Sequence, residues 1–339
     1  LASNENPLGP SPKAVEAIKK HLAEIHRYTN PAAFDLVNAI SKKIGKDSNQ
    51  IVTGSGTDSL LQYIVSAFSE EGDELLTSEG SFIGWYVNVN KYGRISKQIV
   101  QKDYRYDLEA IAENITDKTK IIYLANPNNP TGTIFNKKEF ETFLLKVPEH
   151  ILIVLDEAYS VYAQTNTEYP NGLDYSNKNL IILRTLSKAY GLAGIRVGFA
   201  VGNEELIKIL YKIKLPFEPN SLAQVAAIAA LDDDNFLNKT VELNKKSLNR
   251  LKEIFDELNI NYLPTSANFL LMIFPTEKYT TSFNNECLKR GLILRHVNTF
   301  GITNGIRINS GTNEETEFAI NVITQVKKIL TKEYNLQYT

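Results

Sequence analysis

The chain has 339 residues, 43% of them apolar and 22% charged, with 37 Lys and Arg against 39 Asp and Glu and a formal charge of −2. At roughly 100–200 residues per domain this length suggests about two domains, with enough buried surface to fold without disulfides or metal. The composition excludes disorder, collagen and coiled coil as the main state, and the near-neutral charge argues against wrapping nucleic acid or coating a membrane.

The chain opens Leu1-Ala2-Ser3 with no Met and no signal-like stretch. It is expected to lack an N-terminal arm. Ser11-Pro12 then precedes Val15, Ile18, Leu22 and Ile25, a capped start followed by helical apolar spacing. Ile51–Thr53 reads as a short strand, followed by Gly54-Ser55-Gly56-Thr57 and an apolar helix through Phe68. Glu74–Thr77 is a strand candidate and Phe82–Tyr92 an aromatic-rich helix. Ile95–Val100, Ile121–Ala125, Ile151–Leu155, Leu180–Arg184 and Arg196–Val201 are short apolar runs, with helical patterns at Leu108–Ile115 and Lys137–Val147. Strands alternating with helices predict an α/β three-layer domain around a mostly parallel central sheet.

After Pro216 and Pro219 the rhythm changes. Helices are predicted at Leu222–Leu231, Phe236–Leu258, Tyr279–Arg290 and Glu314–Leu330, and strands at Asn268–Phe274, Leu292–Leu294 and Ile306–Asn309. This is the pattern of a smaller α+β domain. Asp232–Asp234 reads as a solvated helix junction. The single cysteine, Cys287, forms no internal disulfide and no zinc cluster, which favours a reducing compartment and a cytoplasmic location. No apolar run approaches the ~20 residues of a membrane helix.

Four segments fall at ends of predicted strands, where open α/β sheets place ligands. Gly54–Thr57 is a Gly-rich turn entering a helix, either an ordinary flexible turn or a phosphate cradle of backbone N–H groups. It is neither a P-loop nor a dinucleotide fingerprint. Asn126-Pro127-Asn128-Asn129-Pro130-Thr131-Gly132 is a rigid turn with three Asn, more than rigidity requires; a fixed Asn amide at a strand end can donate to a ligand oxygen. Ile151–Leu155 is a fully apolar strand that runs into Asp156, read as a loop cap or as the partner of a cation. Lys188 follows another apolar strand in a run of Ser, Ala and Gly. Such a setting suggests a desolvated amine, nucleophilic toward carbonyls. Arg196 precedes a further strand, where its side chain can turn back toward a phosphate.

Together Asn129-Pro130-Thr131-Gly132, Asp156-Glu157-Ala158-Tyr159, Ser187-Lys188 and Arg196 resemble the pyridoxal-phosphate aminotransferases of the aspartate aminotransferase fold. Asn4-Glu5-Asn6-Pro7-Leu8-Gly9-Pro10, Arg27-Tyr28 and Gly305-Ile306-Arg307-Ile308 resemble their histidinol-phosphate branch. The resemblance runs from Leu1 to about Val322. Two positions depart from the branch: Thr29 stands where Pro usually follows Tyr, and Asp58-Ser59 stands where Asp-Glu is common.

The resemblance implies a large cofactor-binding domain over 29–222 and a small domain of 1–28 and 223–339. It implies pyridoxal 5′-phosphate as cofactor, with Lys188 holding it and moving the proton at the substrate α-carbon. Asp156 would pair with the ring nitrogen, and Asn129 and Tyr159 with the phenolic oxygen. Gly56, Thr57, Ser187 and Arg196 would hold the phosphate. Phe82 would lie against the ring, with Trp85 as the alternative. Tyr28 would reach the cofactor of a second subunit in a homodimer with composite sites. Arg307, helped by Arg295, would grip the substrate anion. The implied reaction converts histidinol phosphate and 2-oxoglutarate to imidazole acetol phosphate and glutamate, in histidine biosynthesis. An aromatic amino-acid aminotransferase, a threonine-phosphate decarboxylase and a catalytically silent cofactor binder are the alternatives.

Overall fold

A computed structural model describes residues 1–334 and contains two sheets. The larger has seven strands: β1 (Ile51–Gly54), β2 (Glu74–Ser78), β3 (Ile95–Ile99), β4 (Thr119–Ala125), β5 (Leu152–Asp156), β6 (Leu180–Thr185) and β7 (Gly198–Gly202). Their order is β1-β7-β6-β5-β4-β2-β3, and only β7 runs against its neighbours. The smaller sheet is antiparallel and holds β8 (Asn261–Tyr262), β9 (Phe269–Ile273), β10 (Arg295–His296) and β11 (Gly305–Asn309) in the order β10-β11-β9-β8.

The helices, in chain order, are α1 (Pro12–His21), α2 (Phe34–Ile44), α3 (Thr57–Phe68), α4 (Ile83–Lys91), α5 (Leu108–Glu113) and α6 (Lys137–Lys146). Then follow α7 (Ser160–Ala163), α8 (Glu204–Ile213), α9 (Ser221–Leu231), α10 (Asp234–Glu257), α11 (Glu277–Lys289) and α12 (Asn313–Glu333). The α/β architecture with a mostly parallel sheet and a second small sheet agrees with the sequence pattern.

Chemistry at the ends sets the boundaries. Ser11 caps α1 by accepting from Ala14 N, and Pro12 takes the first helical position. Asn136 and Glu139 form a reciprocal capping box on α6. The five residues of β5 are all buried, as expected of a central parallel strand covered on both faces. Each apolar side chain so placed contributes about 1.5–3 kcal/mol.

The large-sheet core includes Ala14 of α1 and Ala223, Ala226, Ala227 and Ala230 of α9. Residue 222 therefore lies within α9, a helix that packs on α1 and α2 and shares the large-sheet core, and the chain leaves that core after Leu231. A second core joins α10, α11 and α12 to the small sheet through residues such as Phe255, Phe283, Ile308 and Ile323.

Two predicted elements differ. The strand expected at Leu292–Leu294 pairs instead at Arg295–His296. Leu292 and Leu294 are buried anchors just before the ladder begins. The strand expected from Arg196 starts at Gly198, because Arg196 adopts a left-handed conformation (φ 61°) and cannot continue a strand. Among the described residues no helix is long and apolar enough to cross a membrane.

Candidate active site

The ends of β4, β5 and β6 and the start of α3 open into one cavity of about 420 Å³, closed on the far side by β10 and β11. Lys188, Asp156, Tyr159, Asn129, Ser187, Thr57, Phe82, Arg196, Arg295 and Arg307 all line it. Sequence reasoning had proposed each of them.

Asp156 ends β5 and is buried. Its Oδ2 accepts from the Tyr123 hydroxyl at 2.8 Å and its Oδ1 from Ala158 N at 3.1 Å. Burial pushes its carboxyl up to about 6, against the pull of these two hydrogen bonds. Among the described residues no cation pairs with it. The next carboxylate, Glu157, is balanced: it takes Arg184 Nε and Nη2 at 2.9 and 2.7 Å and serves the loop after α7 through Tyr169 and Gly172. Of two adjacent acids, one holds the scaffold and the other faces the cavity uncompensated.

Lys188 sits on a turn knotted by Thr185, which accepts from Ser187 N and donates to Ser187 Oγ, at 3.1 and 3.0 Å. The turn closes through Gly191 N to Lys188 O. The lysine is half-buried, and its Nζ donates to Ser3 O at 3.3 Å. The left-handed backbone at Arg196 turns its side chain back over the same turn. Its Nη1 reaches Ser187 Oγ at 3.4 Å and its Nη2 reaches Asp58 Oδ2 at 2.9 Å. Gly56, at φ 79°, has no side chain to cap α3, and a Cβ there would stand 2.5 Å from Arg196 Nη2. Gly198 packs directly behind it, where a Cβ would meet Gly56 C and Thr57 N at 3.0 Å. The start of α3 thus presents bare backbone N–H groups and a positive helix end beside Ser187 and Arg196, an anion site.

Of the three asparagines in the β4 turn, two build it. Asn126 bonds Phe135 through both its amide atoms, and Asn128 bonds Thr131 and Gly80. Only Asn129 reaches the cavity, where its Oδ1 accepts from Arg307 Nη1.

Arg307 lies on β11 and is buried. Its guanidinium stands 5.2 Å from the Phe269 ring centroid, its Nη2 donates to Ala2 O at 2.7 Å, and its Nε has no partner among the described residues. Burial brings it down to about 10; Tyr159 raises it and neighbouring Arg295 lowers it further, so it stays cationic at neutral pH. Arg295 is its direct cross-strand partner, is exposed, and stands over Phe300. Tyr159 meets Phe269 edge-on and accepts from Asn4 Nδ2 at 2.8 Å.

Two expected residues lie off this cavity. Trp85 does not reach it: it is fully buried and stacked on Tyr123, whereas Phe82 lines the wall together with Tyr123, Tyr159 and Phe300. Tyr28 does not line its own chain's cavity. It is 84% exposed and stacks on Phe217. Sequence reasoning assigned no role to Tyr123, Asn4 or Asp58. Asn4 stood in a quoted motif, and Tyr123 lies two residues before a strand end, where alternation aims it to the same side as Ala125.

Solved structures with this architecture define the class first. A histidinol-phosphate aminotransferase from Sinorhizobium meliloti, solved with pyridoxal-5′-phosphate, has a TM-score of 0.92 at 28% identity, over 97% of this chain and 90% of the other. An aspartate aminotransferase from Thermus thermophilus, solved with maleate, shares the fold with a TM-score of 0.83 at 20% identity, over 96% and 90% of the two chains. The chain belongs to the family Aminotransferase class I and II, whose model matches residues 1–323. It is 42% identical to histidinol-phosphate aminotransferase 2 of Hydrogenovibrio crunogenus over 98% of this chain and 88% of that protein. It is 40% identical to the namesake of Carboxydothermus hydrogenoformans over 97% and 91%.

Proposed function

We propose that this chain is a pyridoxal-phosphate-dependent enzyme that moves an amino group between histidinol phosphate and 2-oxoglutarate. The observation that carries the reading is one cavity with an amine, an uncompensated buried carboxylate and an anion cradle on the large-sheet side, and two paired arginines on the other. The names of the relatives at 42% and 40% identity support the substrate.

The residues fit the cofactor. Asp156 needs a cation, which a protonated ring nitrogen supplies. The start of α3 offers bare N–H groups to a phosphate, and Gly56 leaves the room. When bound, the cofactor supplies an electron-accepting ring and carries the amino group between two half-reactions. Lys188 would hold it through its amine and, once released, move the proton at the substrate α-carbon. Asp156 would keep the ring nitrogen protonated. Asn129 and Tyr159 would take the phenolic oxygen; Tyr159 already accepts from Asn4, so its own hydrogen is free to point into the cavity. Ser187, Arg196, Gly56 and Thr57 would hold the phosphate, and Phe82 one ring face. Arg307 would bind the carboxylate of 2-oxoglutarate, and Arg295 with Arg307 the phosphate of the donor. A guanidinium fork suits both anions.

The working unit in this reading is a cytoplasmic homodimer. Tyr28, Ile25, Phe34, Leu215 and Phe217 are exposed apolar side chains, Tyr28 and Phe217 stacked on each other; a second subunit would cover them, and Tyr28 would reach that subunit's cavity. Mixing Tyr28→Ala with Lys188→Ala protein tests this: mixed dimers regain activity from one intact site, whereas no recovery after subunit exchange removes the cross-subunit role. The substrate is tested with a panel of histidinol phosphate, phenylalanine, tyrosine and threonine phosphate, read by the cofactor's absorbance. Preference for phenylalanine would replace the assignment with an aromatic aminotransferase, and release of carbon dioxide from threonine phosphate would replace it with a decarboxylase.

A further inference from the structure

Tyr123 is not an ordinary core tyrosine. It lies on β4, two residues before Ala125, which is the ladder partner of Asp156 on β5. From there its hydroxyl crosses diagonally to Asp156 Oδ2 at 2.8 Å. The ring is fully buried, and Trp85, also fully buried, lies flat against it with centroids 4.7 Å apart and 9° between planes. A phenylalanine would pack on Trp85 as well, and a buried hydroxyl is costly unless it is bonded. What the hydroxyl adds is therefore directional. Burial holds the phenol well above its usual range, so it remains a donor. Ala158 N fixes the other carboxylate oxygen. Two donors on separate oxygens set the plane of the carboxylate and leave its remaining acceptor positions toward the cavity.

We propose that Tyr123, seated on Trp85, is a positioning residue that aims the Asp156 carboxylate at the ring nitrogen of the bound cofactor and keeps it an acceptor. The proposal rests on the reading above in which Asp156 meets that nitrogen. Tyr123 borders the cavity, but in this scheme it acts through Asp156, to which its hydroxyl is committed. Without its hydroxyl the carboxylate loses one of two bonds that favour its charged form, and swings on the other.

The test compares apoprotein affinities for pyridoxal 5′-phosphate and for its 1-deaza analogue, in which C–H replaces the ring nitrogen, by equilibrium dialysis. In the wild type the true cofactor binds more tightly, because only it pairs with Asp156. Tyr123→Phe should shrink that preference by about tenfold while leaving affinity for the analogue within about twofold. A role in packing alone would weaken both ligands together and leave the ratio where it was. Trp85→Phe, which narrows the seat but keeps the hydroxyl, should lower the ratio by a smaller factor, and it stands in if Tyr123→Phe does not fold. An unchanged ratio in whichever variant folds overturns the assignment of Tyr123. A wild type that does not distinguish the two ligands overturns the role of Asp156 itself, and the proposal with it.

Discussion

The two sides of the cavity carry opposite unfinished charges. On the large-sheet side Asp156 is a buried acid with no cation among the described residues, set at the end of a central strand and braced by Tyr123 and Ala158. On the small-sheet side Arg295 and Arg307 are paired cations with no anion among the described residues, set on two strands that face each other in register. Both arrangements cost energy: burial disfavours the Asp156 carboxylate, and burial and like charge disfavour the Arg307 guanidinium. A ligand that is cationic at one end and anionic at the other relieves both. The sides also differ in rigidity of support. Asp156 ends a fully buried strand paired on both sides, while Arg295 is exposed and opens a two-residue strand.

The sharpest break of this comparison removes the group between the two sides. Lys188→Ala should lower turnover by about 10²- to 10⁴-fold, while equilibrium dialysis still finds cofactor phosphate held at the start of α3. A turnover close to that of the wild type would assign the proton transfer elsewhere. The small-sheet side is tested next. Arg307→Ala should cost roughly ten- to a hundredfold in kcat/KM in both half-reactions, each followed separately by single-turnover absorbance. Arg295→Ala should harm the histidinol-phosphate half-reaction more than transfer from phenylalanine. Equal losses for the two donors would show that Arg295 does not read the phosphate.

A different kind of effect concerns stability on the large-sheet side. The Asp156 carboxyl is raised from 3.8 to about 6 in the folded apoprotein, so the folded state prefers it protonated. That contribution is complete below about pH 4 and is lost as pH rises through about 6, at 1.4 kcal/mol per unit. Asp156→Asn removes it. Thermal melts of apoprotein should therefore show the variant gaining on the wild type between pH 4 and pH 8, by roughly 3 kcal/mol at most. Parallel curves over that range would mean that the carboxylate is already compensated.

Much of this was legible in the sequence, for a physical reason. The ends of β1, β4, β5 and β6 are punctuated by Gly, Asn, Asp and Ser after apolar runs, and parallel strands expose ligand groups at those ends. Position along a strand was less legible where burial and pairing part company. Leu292 and Leu294 are apolar and buried, yet the ladder starts at Arg295. The helix α2 follows a left-handed Ala33 with no side-chain cap, so its start carries no signal. The helix α8 does carry one, Asn203 ahead of Glu204 and Glu205. Contacts across the fold were out of reach. Asn4 meets Tyr159 and Arg307 meets Ala2 O only because the first residues cross the cavity mouth. Tyr123 could be tied to Asp156 only once the β4–β5 register was known.

The seat beneath Tyr123 has a consequence of another kind. Trp85 is the chain's one tryptophan, and it lies in a fully buried site with its indole N–H unbonded among the described residues. Its emission should be blue-shifted and should come from a single place, one aromatic ring removed from Asp156. Light absorbed there can pass to a bound chromophore in the cavity, so filling the site should quench it. The protein thus carries its own optical gauge of occupancy, fixed to the strand that braces the carboxylate and readable without label or substrate.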